Sequence, residues 1–367
     1  MPQDIFIAAT GQNVGKTTIC LGILAALHKR YSKVGFMKPI GQQHINISNQ
    51  WNVDKDVVLF KEYFDLQSEY LDMSPVILPA GFTRDFLDGK ESPLDIEQSI
   101  KSSFDKISRN HFVTIVEGTG HVGVGSIVHM SNARVASLLN LDMIIIASGG
   151  LGSAIDELSL NVALCKLHGV KIRGIILNRV LEDKREMIEN YLPKALKMWN
   201  IPLIGCIPYN SLLGAPTLRD YEVLFKSDLI AGHKHLNCHF QNPKLVAGSL
   251  ESYQDEIGAG ELIITPASRE DIINETIRRK RHAEDIGDEY PIHGIIMTGQ
   301  HPPSESILSN LKKVDMPALY APLCSYDAMK SITSFIAKIR VEDTSKIEKA
   351  IDLVEKNIDM DRLLREC

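Results

Sequence analysis

The chain has 367 residues, 44% of them hydrophobic, and 46 acidic against 40 basic side chains give a formal net charge of -6. That length and apolar content can build ample cores and point to two domains, while the acidic balance argues against broad nucleic-acid binding, which wants a basic face. The apolar runs at 5–9, 143–147 and 174–177 are too short to cross a bilayer, and no basic stretch followed by a hydrophobic segment opens the chain, so neither a membrane anchor nor a secretory signal is expected.

The first element is also the most informative. The apolar run Ile5-Phe6-Ile7-Ala8-Ala9 leads through Thr10-Gly11-Gln12-Asn13-Val14-Gly15 to Lys16-Thr17-Thr18 and then to the helical apolar pattern of residues 19–27. Strand, glycine-containing turn and helix in that order are what a phosphate-binding loop requires. Backbone N–H groups around Asn13 to Thr17 would face phosphate oxygens, aided by the positive end of the helix opening near Lys16. Gly15 lets the main chain approach, Lys16 would neutralise β- and γ-phosphates, and the Thr17 hydroxyl would coordinate magnesium. The loop departs from the common spacing in one respect: Thr10 stands where G-x-x-x-x-G-K-[ST] places glycine, and Gly11 comes one place later.

A short strand, Val34-Gly35-Phe36-Met37, then ends in Lys38-Pro39. A cation there would sit at the carboxyl edge of an open α/β sheet, where such folds place ligands; a solvated lysine is the plainer reading. Asp54 and Asp56 open a predicted helix, suited to its dipole and also to holding magnesium directly or through water. The segment 65–92, with prolines at 75 and 79 and glycines at 81 and 89, reads as a long irregular loop over the site. After a helix near 93–109, the strand from His111 to Val116 runs into Glu117-Gly118-Thr119-Gly120-His121-Val122-Gly123-Val124-Gly125. A buried strand ending in an acid and then glycines presents a carboxylate to a metal while the main chain passes close to phosphate. His121 is a weak candidate for a general base. Strands at 143–147, 172–177 and 202–208 alternate with helices through about Leu167 and near 183–199, which specifies a mainly parallel sheet covered on both faces. Asn178 leaves its strand at the phosphate-loop edge, where its amide could read an adenine ring or simply form a turn.

These residues together resemble the dethiobiotin synthetase branch of P-loop proteins, which includes cobyrinic acid amide synthetases and the N-terminal region of long bacterial phosphotransacetylases. The resemblance runs from Ile5 to about Leu224 and rests on Val14-Gly15-Lys16-Thr17, Lys38-Pro39, an Asp at 54–56, Glu117-Gly118-Thr119-Gly120, Asn178-Arg179 and Ile207-Pro208. It implies a P-loop NTPase-type α/β fold binding ATP and Mg2+. Lys16 and Thr17 would hold both, Lys38 would contact reacting phosphate or substrate, Asp56 (or Asp54) and Glu117 would be metal ligands, and Asn178 and Pro208 would lie near adenine. The 65–92 and 118–130 segments do not match those with which the biotin enzymes read their diamino acid.

Past residue 225 the composition shifts. His233-Lys234-His235-Leu236-Asn237-Cys238-His239 lacks strict metal-ligand spacing and reads as linker over 226–242. Apolar segments at 245–249, 261–267, 293–300 and 317–321 alternate with helical patterns, giving a second, smaller α/β domain over 243–358 with a tail at 359–367. It resembles the DRTGG domain, keeping Arg269 and Thr298-Gly299, with Ser268 and Gln300 replacing the motif's Asp and last Gly. That implies a regulatory or dimer-forming module. Arg278-Arg279-Lys280-Arg281 reads as a solvated helix end before a polar loop at 282–290, and residues 343–358 as an amphipathic closing helix. Six scattered cysteines (20, 165, 206, 238, 324 and 367) have no C-x-x-C spacing and read as thiols of a cytoplasmic protein. The expectation is a Mg-ATP-binding protein acting on a small molecule, with a second copy of itself as partner. Its two candidate roles are a ligase-type enzyme for a small carboxylate or amine, and a nucleotide sensor signalling through the second domain.

Overall fold

The wholly buried strand β1 (Ile5–Ala9) lies near the middle of a six-stranded sheet in the order β10-β9-β8-β1-β7-β2. The computed structural model of the chain describes residues 4–47, 50–240, 243–258, 260–285 and 293–364. By contact the chain divides into unit 1, Met1–Asn210 with Ile339–Cys367, and unit 2, Ser211–Lys338.

In unit 1 the strands are β1, β2 (Val34–Met37), β3 (Ile40–Gly41), β4 (His44–Ile47), β5 (Trp51–Asp54), β6 (Val76–Ile77), β7 (Val113–His121), β8 (Asp142–Ser148), β9 (Ile172–Val180) and β10 (Leu203–Pro208). All five pairings in the six-stranded sheet are parallel, so every loop leaving a strand's carboxyl end emerges along one edge. The connecting helices are α1 (Lys16–Arg30), α2 (Lys55–Tyr63), α3 (Tyr70–Met73), α4 (Phe82–Leu87), α5 (Pro93–Ser108), α6 (Asn132–Leu138), α7 (Leu151–Leu167) and α8 (Arg185–Leu196). The fully buried run Ile144-Ile145-Ile146-Ala147 in β8 has no polar alternation because both sheet faces are covered. The 65–92 segment is more ordered than its prolines and glycines suggest: it holds α3, β6 and α4, with β6 pairing to β3.

Unit 2 begins with α9 (Ser211–Gly214) and α10 (Leu218–Phe225) and continues as β11 (Leu229–Ala231), β12 (Pro243–Leu245), α11 (Leu250–Glu256), β13 (Leu262–Pro266), α12 (Glu270–Asp285), β14 (Gly294–Thr298), α13 (Glu305–Lys313), β15 (Ala318–Ala321) and α14 (Ser325–Ser334). Its sheet runs β11-β15-β14-β13-β12, with only β11 antiparallel. Two-residue alternation sends Ile263 and Ile295 into one apolar cluster and Leu262, Ile264 and Ile296 into another, so this sheet too is covered on both faces. Arg278 and Arg279 both pair with Glu275, and Lys280 caps the carbonyls of Val314 and Asp315. Three of the four residues of the basic run are therefore engaged within unit 2. Of the polar loop expected at 282–290, residues 282–285 belong to α12 and 286–290 lie outside the described residues.

The boundaries expected at 225 and 358 are not those of the structure. Residues 211–225 pack into unit 2, where Leu218, Tyr221 and Phe225 join a core with Leu262 and Ile264. The closing segment, α15 (Thr344–Asn357) and α16 (Met360–Leu364), returns to unit 1. Its amphipathic pattern buries Ile347, Ala350, Leu353 and Val354, and Val354 lies against Gly22 of α1. Of the expected tail, residues 365–367 are outside the described residues. Among described residues the five cysteines are all free, and no helix is long and apolar enough to cross a membrane.

Candidate nucleotide site

The loop between β1 and α1 turns by two left-handed residues, Asn13 (φ 57°) and Gly15 (φ 105°). Glycine tolerates the second at no steric cost, and a side chain there would also overlap the Asn178 amide. That amide, at the carboxyl end of β9, donates to the Val14 carbonyl at 2.7 Å. Asn178 thus braces the phosphate loop, a role that the adenine or turn readings of its position did not include. Thr10, the departure from the usual spacing, is buried and donates its hydroxyl to Glu157 Oε2 of α7 at 2.7 Å. Gln12 and Asn13 are exposed, while Val14 and Lys16 are buried.

Lys16 donates from Nζ to the Gly120 carbonyl at 2.8 Å, and the Thr17 hydroxyl faces Glu117 Oε1 at 3.4 Å. The strand register makes this meeting unavoidable: Ile7 pairs with Glu117 on one side of β7 and Met37 with Val116 on the other. The β1 loop, Glu117 and Lys38 therefore leave the sheet side by side. The hairpin of β4 and β5 then delivers Asp54 as the N-cap of α2, its side chain accepting from the Asp56 N–H at 3.0 Å. Both acids close on Lys38, whose ammonium pairs with Asp56, with Asp54 at 3.1 Å and with Glu117 at 3.7 Å. All of these ionisable groups are at least nine-tenths buried.

Burial and charge pull these groups in different directions. Burial penalises the Lys38 ammonium, but Asp56, Glu117 and Asp54 outweigh it and hold that lysine well above its ordinary range. Glu117 is pushed up to about 7, first by burial and then by Asp56, against the attraction of Lys38 and Lys16. Lys38 shares its one charge among three acids, so it does not offset the desolvation of Glu117. Burial also lowers Lys16, with Glu117 opposing. One carboxylate oxygen, Glu117 Oε2, is buried without a hydrogen-bond partner among the described residues.

The glycine-rich loop after β7 is held by two amides that sequence reasoning did not single out. Asn132 bridges Thr119 and His121, donating to both carbonyls and accepting from the Thr119 N–H. Asn161 of α7 accepts from the Val122 N–H at 3.1 Å. For Asn161 the available signal was an amide set between Leu160 and Val162 within α7, where a buried polar group must find a partner; Asn132, the first residue of α6, carried no such signal. His121 is exposed, and its Nδ1 accepts from the Gly123 N–H, so it shapes the turn. Pro208 ends β10 on the same sheet edge, its neighbour in register being Val180, two residues after Asn178. Among described residues no three His, Cys, Asp or Glu side chains form a metal cluster, and in the 233–239 stretch Cys238 Sγ lies 3.9 Å from His235 Nδ1.

A family model for an AAA domain, AAA_26, matches residues 3–217, more than half of the chain. The chain belongs to the AAA_26 family. A DRTGG domain model matches residues 224–335, so the AAA_26 region is followed by a DRTGG domain. A phosphate acetyltransferase from Nitratidesulfovibrio vulgaris is 25% identical over 373 residues, covering 99% of this chain and 51% of the relative. The ATP-dependent dethiobiotin synthetase BioD of Clostridium novyi is 29% identical over 184 residues, 48% of this chain and 76% of its own. Among solved structures, the MinD cell division protein of Aquifex aeolicus aligns with 57% of this chain and 83% of its own at 18% identity and a TM-score of 0.36. The chain spans about half the length of the phosphate acetyltransferases it matches.

Proposed function

We propose that unit 1 binds ATP as its magnesium complex and uses it in a ligase-type reaction on a small carboxylate or amine: the γ-phosphoryl group passes to a carboxylate or carbamate with release of ADP, and a nucleophile then displaces phosphate. The observation that carries this reading is the meeting of the Thr17 hydroxyl and the Glu117 carboxylate at 3.4 Å, beside Lys16 at the head of α1. The residues fit the ligands. Glu117 has a buried oxygen with no hydrogen-bond partner among the described residues, a donor atom that a cation would satisfy. The glycine at 15 leaves room for an anion against the main chain. Magnesium keeps few protein ligands and several waters, so Thr17 and Glu117 suffice, while Asp56, the third expected ligand, is held on the Lys38 ammonium. When bound, the ion would neutralise charge on the phosphate oxygens.

The chain's own residues divide the remaining work. Lys16 exchanges the Gly120 carbonyl for phosphate, Lys38 meets the transferring phosphoryl group or the acceptor, and Asp54 and Asp56 keep Lys38 charged. The backbone from Gly11 to Thr18 forms the cradle, and Asn178 and Pro208 lie on the adenine side. In such reactions positioning and charge stabilisation supply most of the rate. Similarity to an ATP-dependent synthetase supports ATP as the nucleotide. The DRTGG match favours a second reading, a nucleotide sensor that reports through unit 2. Phosphate release by the purified chain with Mg-ATP, with and without candidate carboxylic and amino acids, separates the two. Acceptor-dependent release that is lost in Lys16→Ala supports the enzyme; tight binding with no release under any acceptor supports the sensor.

A further inference from the structure

The helix that follows the phosphate loop has no polar face. Residues 19–27 of α1 are buried throughout, and a helix apolar all round needs a cover on each side. The sheet supplies one. The other is α15, which comes from the far end of the chain. Two glycines record how closely this strap lies on unit 1. At Gly22, in the second turn of α1, a Cβ would overlap the Val354 side chain; at Gly205 in β10, it would meet the Asn357 carbonyl and Ile358. Glycine inside a helix costs roughly 1 kcal/mol relative to alanine, and at Gly22 the close approach of a second helix offsets that cost.

The strap is also fastened along its length. Lys29 and Arg30 at the end of α1 pair with Glu355 and Asp361. Arg185 donates to Asn357 Oδ1 at 2.8 Å, the Asp359 N–H donates to the Ile204 carbonyl at 3.1 Å, and Gly205 bridges to Ile358. The two elements it grips are those the proposed site depends on: α1 begins with Lys16 and Thr17, and β10 ends at Pro208.

We infer that the 344–364 strap is a positioning element for the nucleotide site, setting where α1 presents Lys16 and Thr17 to the phosphates, with Gly22, Gly205 and Val354 as its positioning residues. This rests on the nucleotide reading proposed above. The strap follows unit 2 in the chain, so it is also the return path from the DRTGG domain to the phosphate-loop helix. None of its residues touches the proposed ligand; they act through the placement of α1 and β10.

The test uses the full chain and Mg-ATP calorimetry well below each variant's melting midpoint, with stoichiometry reporting the folded fraction. Gly22→Ala and Gly205→Ala sit on different elements and share only the strap. Each is expected to weaken Mg-ATP binding about tenfold at unchanged stoichiometry, the scale of coupling carried by packed elements. The swap Gly22→Ala with Val354→Gly, which moves the Cβ from one helix to the other, should recover most of the loss. Wild-type affinity in both single variants, with only a lower melting midpoint, would make the strap purely structural and overturn the inference while leaving the nucleotide reading intact. No heat with the wild type would overturn that reading, and the inference with it. If Gly22→Ala does not fold, Gly205→Ala and Asn357→Ala decide alone, and wild-type affinity in both contradicts the inference.

Discussion

Glu117 is the residue on which the site's chemistry turns. Its carboxyl is raised from an ordinary value of 4.5 to about 7, chiefly by burial, so the folded state holds a proton that the unfolded chain has released. With more protons bound in the folded state, this group's contribution to stability falls as pH rises from about 4.5 through about 7. Urea unfolding of the nucleotide-free protein should show that slope, and Glu117→Gln should flatten it. Cation binding needs the carboxylate, so Mg-ATP affinity should rise with pH through about 7 and level off above. The Gln variant should show neither the rise nor the benefit of added magnesium; an affinity independent of pH in the wild type would count against Glu117 as a ligand. The placement of Lys16, Lys38 and Glu117 at one sheet edge was legible in the sequence because each ends or follows an apolar strand. That Asp54 and Asp56 would both be drawn onto Lys38 was not, because the hairpin that returns them to the site has strands of only four residues, too short for their alternation to announce it.

At the scale of elements, the backbone of the β1–α1 loop is held from behind by Asn178. Gly15 has φ 105° and no room for a Cβ beside Asn178. Left-handed backbone costs a non-glycine residue about 1–2 kcal/mol, so Gly15→Ala should lose at least that in urea unfolding and should lose Mg-ATP binding more severely. Retained affinity would show that the loop's path is not set by this turn. The order of the main parallel strands and their helices could be read from apolar runs, since strands covered on both faces leave no other pattern; the β4–β5 hairpin, the elements within 65–92 and the antiparallel β11 could not. The error over the closing helix has a definite cause. Amphipathicity says that α15 must cover something, not what it covers. The needed signal lay some 320 residues earlier, in an α1 sequence too apolar for one buried face.

At the scale of the whole chain, the AAA_26 unit has the DRTGG unit inserted before α15 and α16. A chain ended at Lys338 would leave α1 without α15 and remove the Leu363 carbonyl that accepts from Arg173. Burial of Ile347, Leu353 and Val354 is lost as well; at about 1.5–3 kcal/mol for each large aliphatic side chain, unit 1 would lose on the order of 5 kcal/mol or more. Such a chain should melt far below the full one, and an unchanged unit 1 transition in calorimetric melting would refute the observed division into units. The most direct test of the account is isothermal titration of Mg-ATP into the purified full chain, wild type beside Lys16→Ala. The account predicts saturable binding at one site per chain that is weakened at least about a hundredfold without the lysine, as expected for losing a buried charge-assisted contact to phosphate. No heat of binding in the wild type, or equal affinity in the variant, would contradict it.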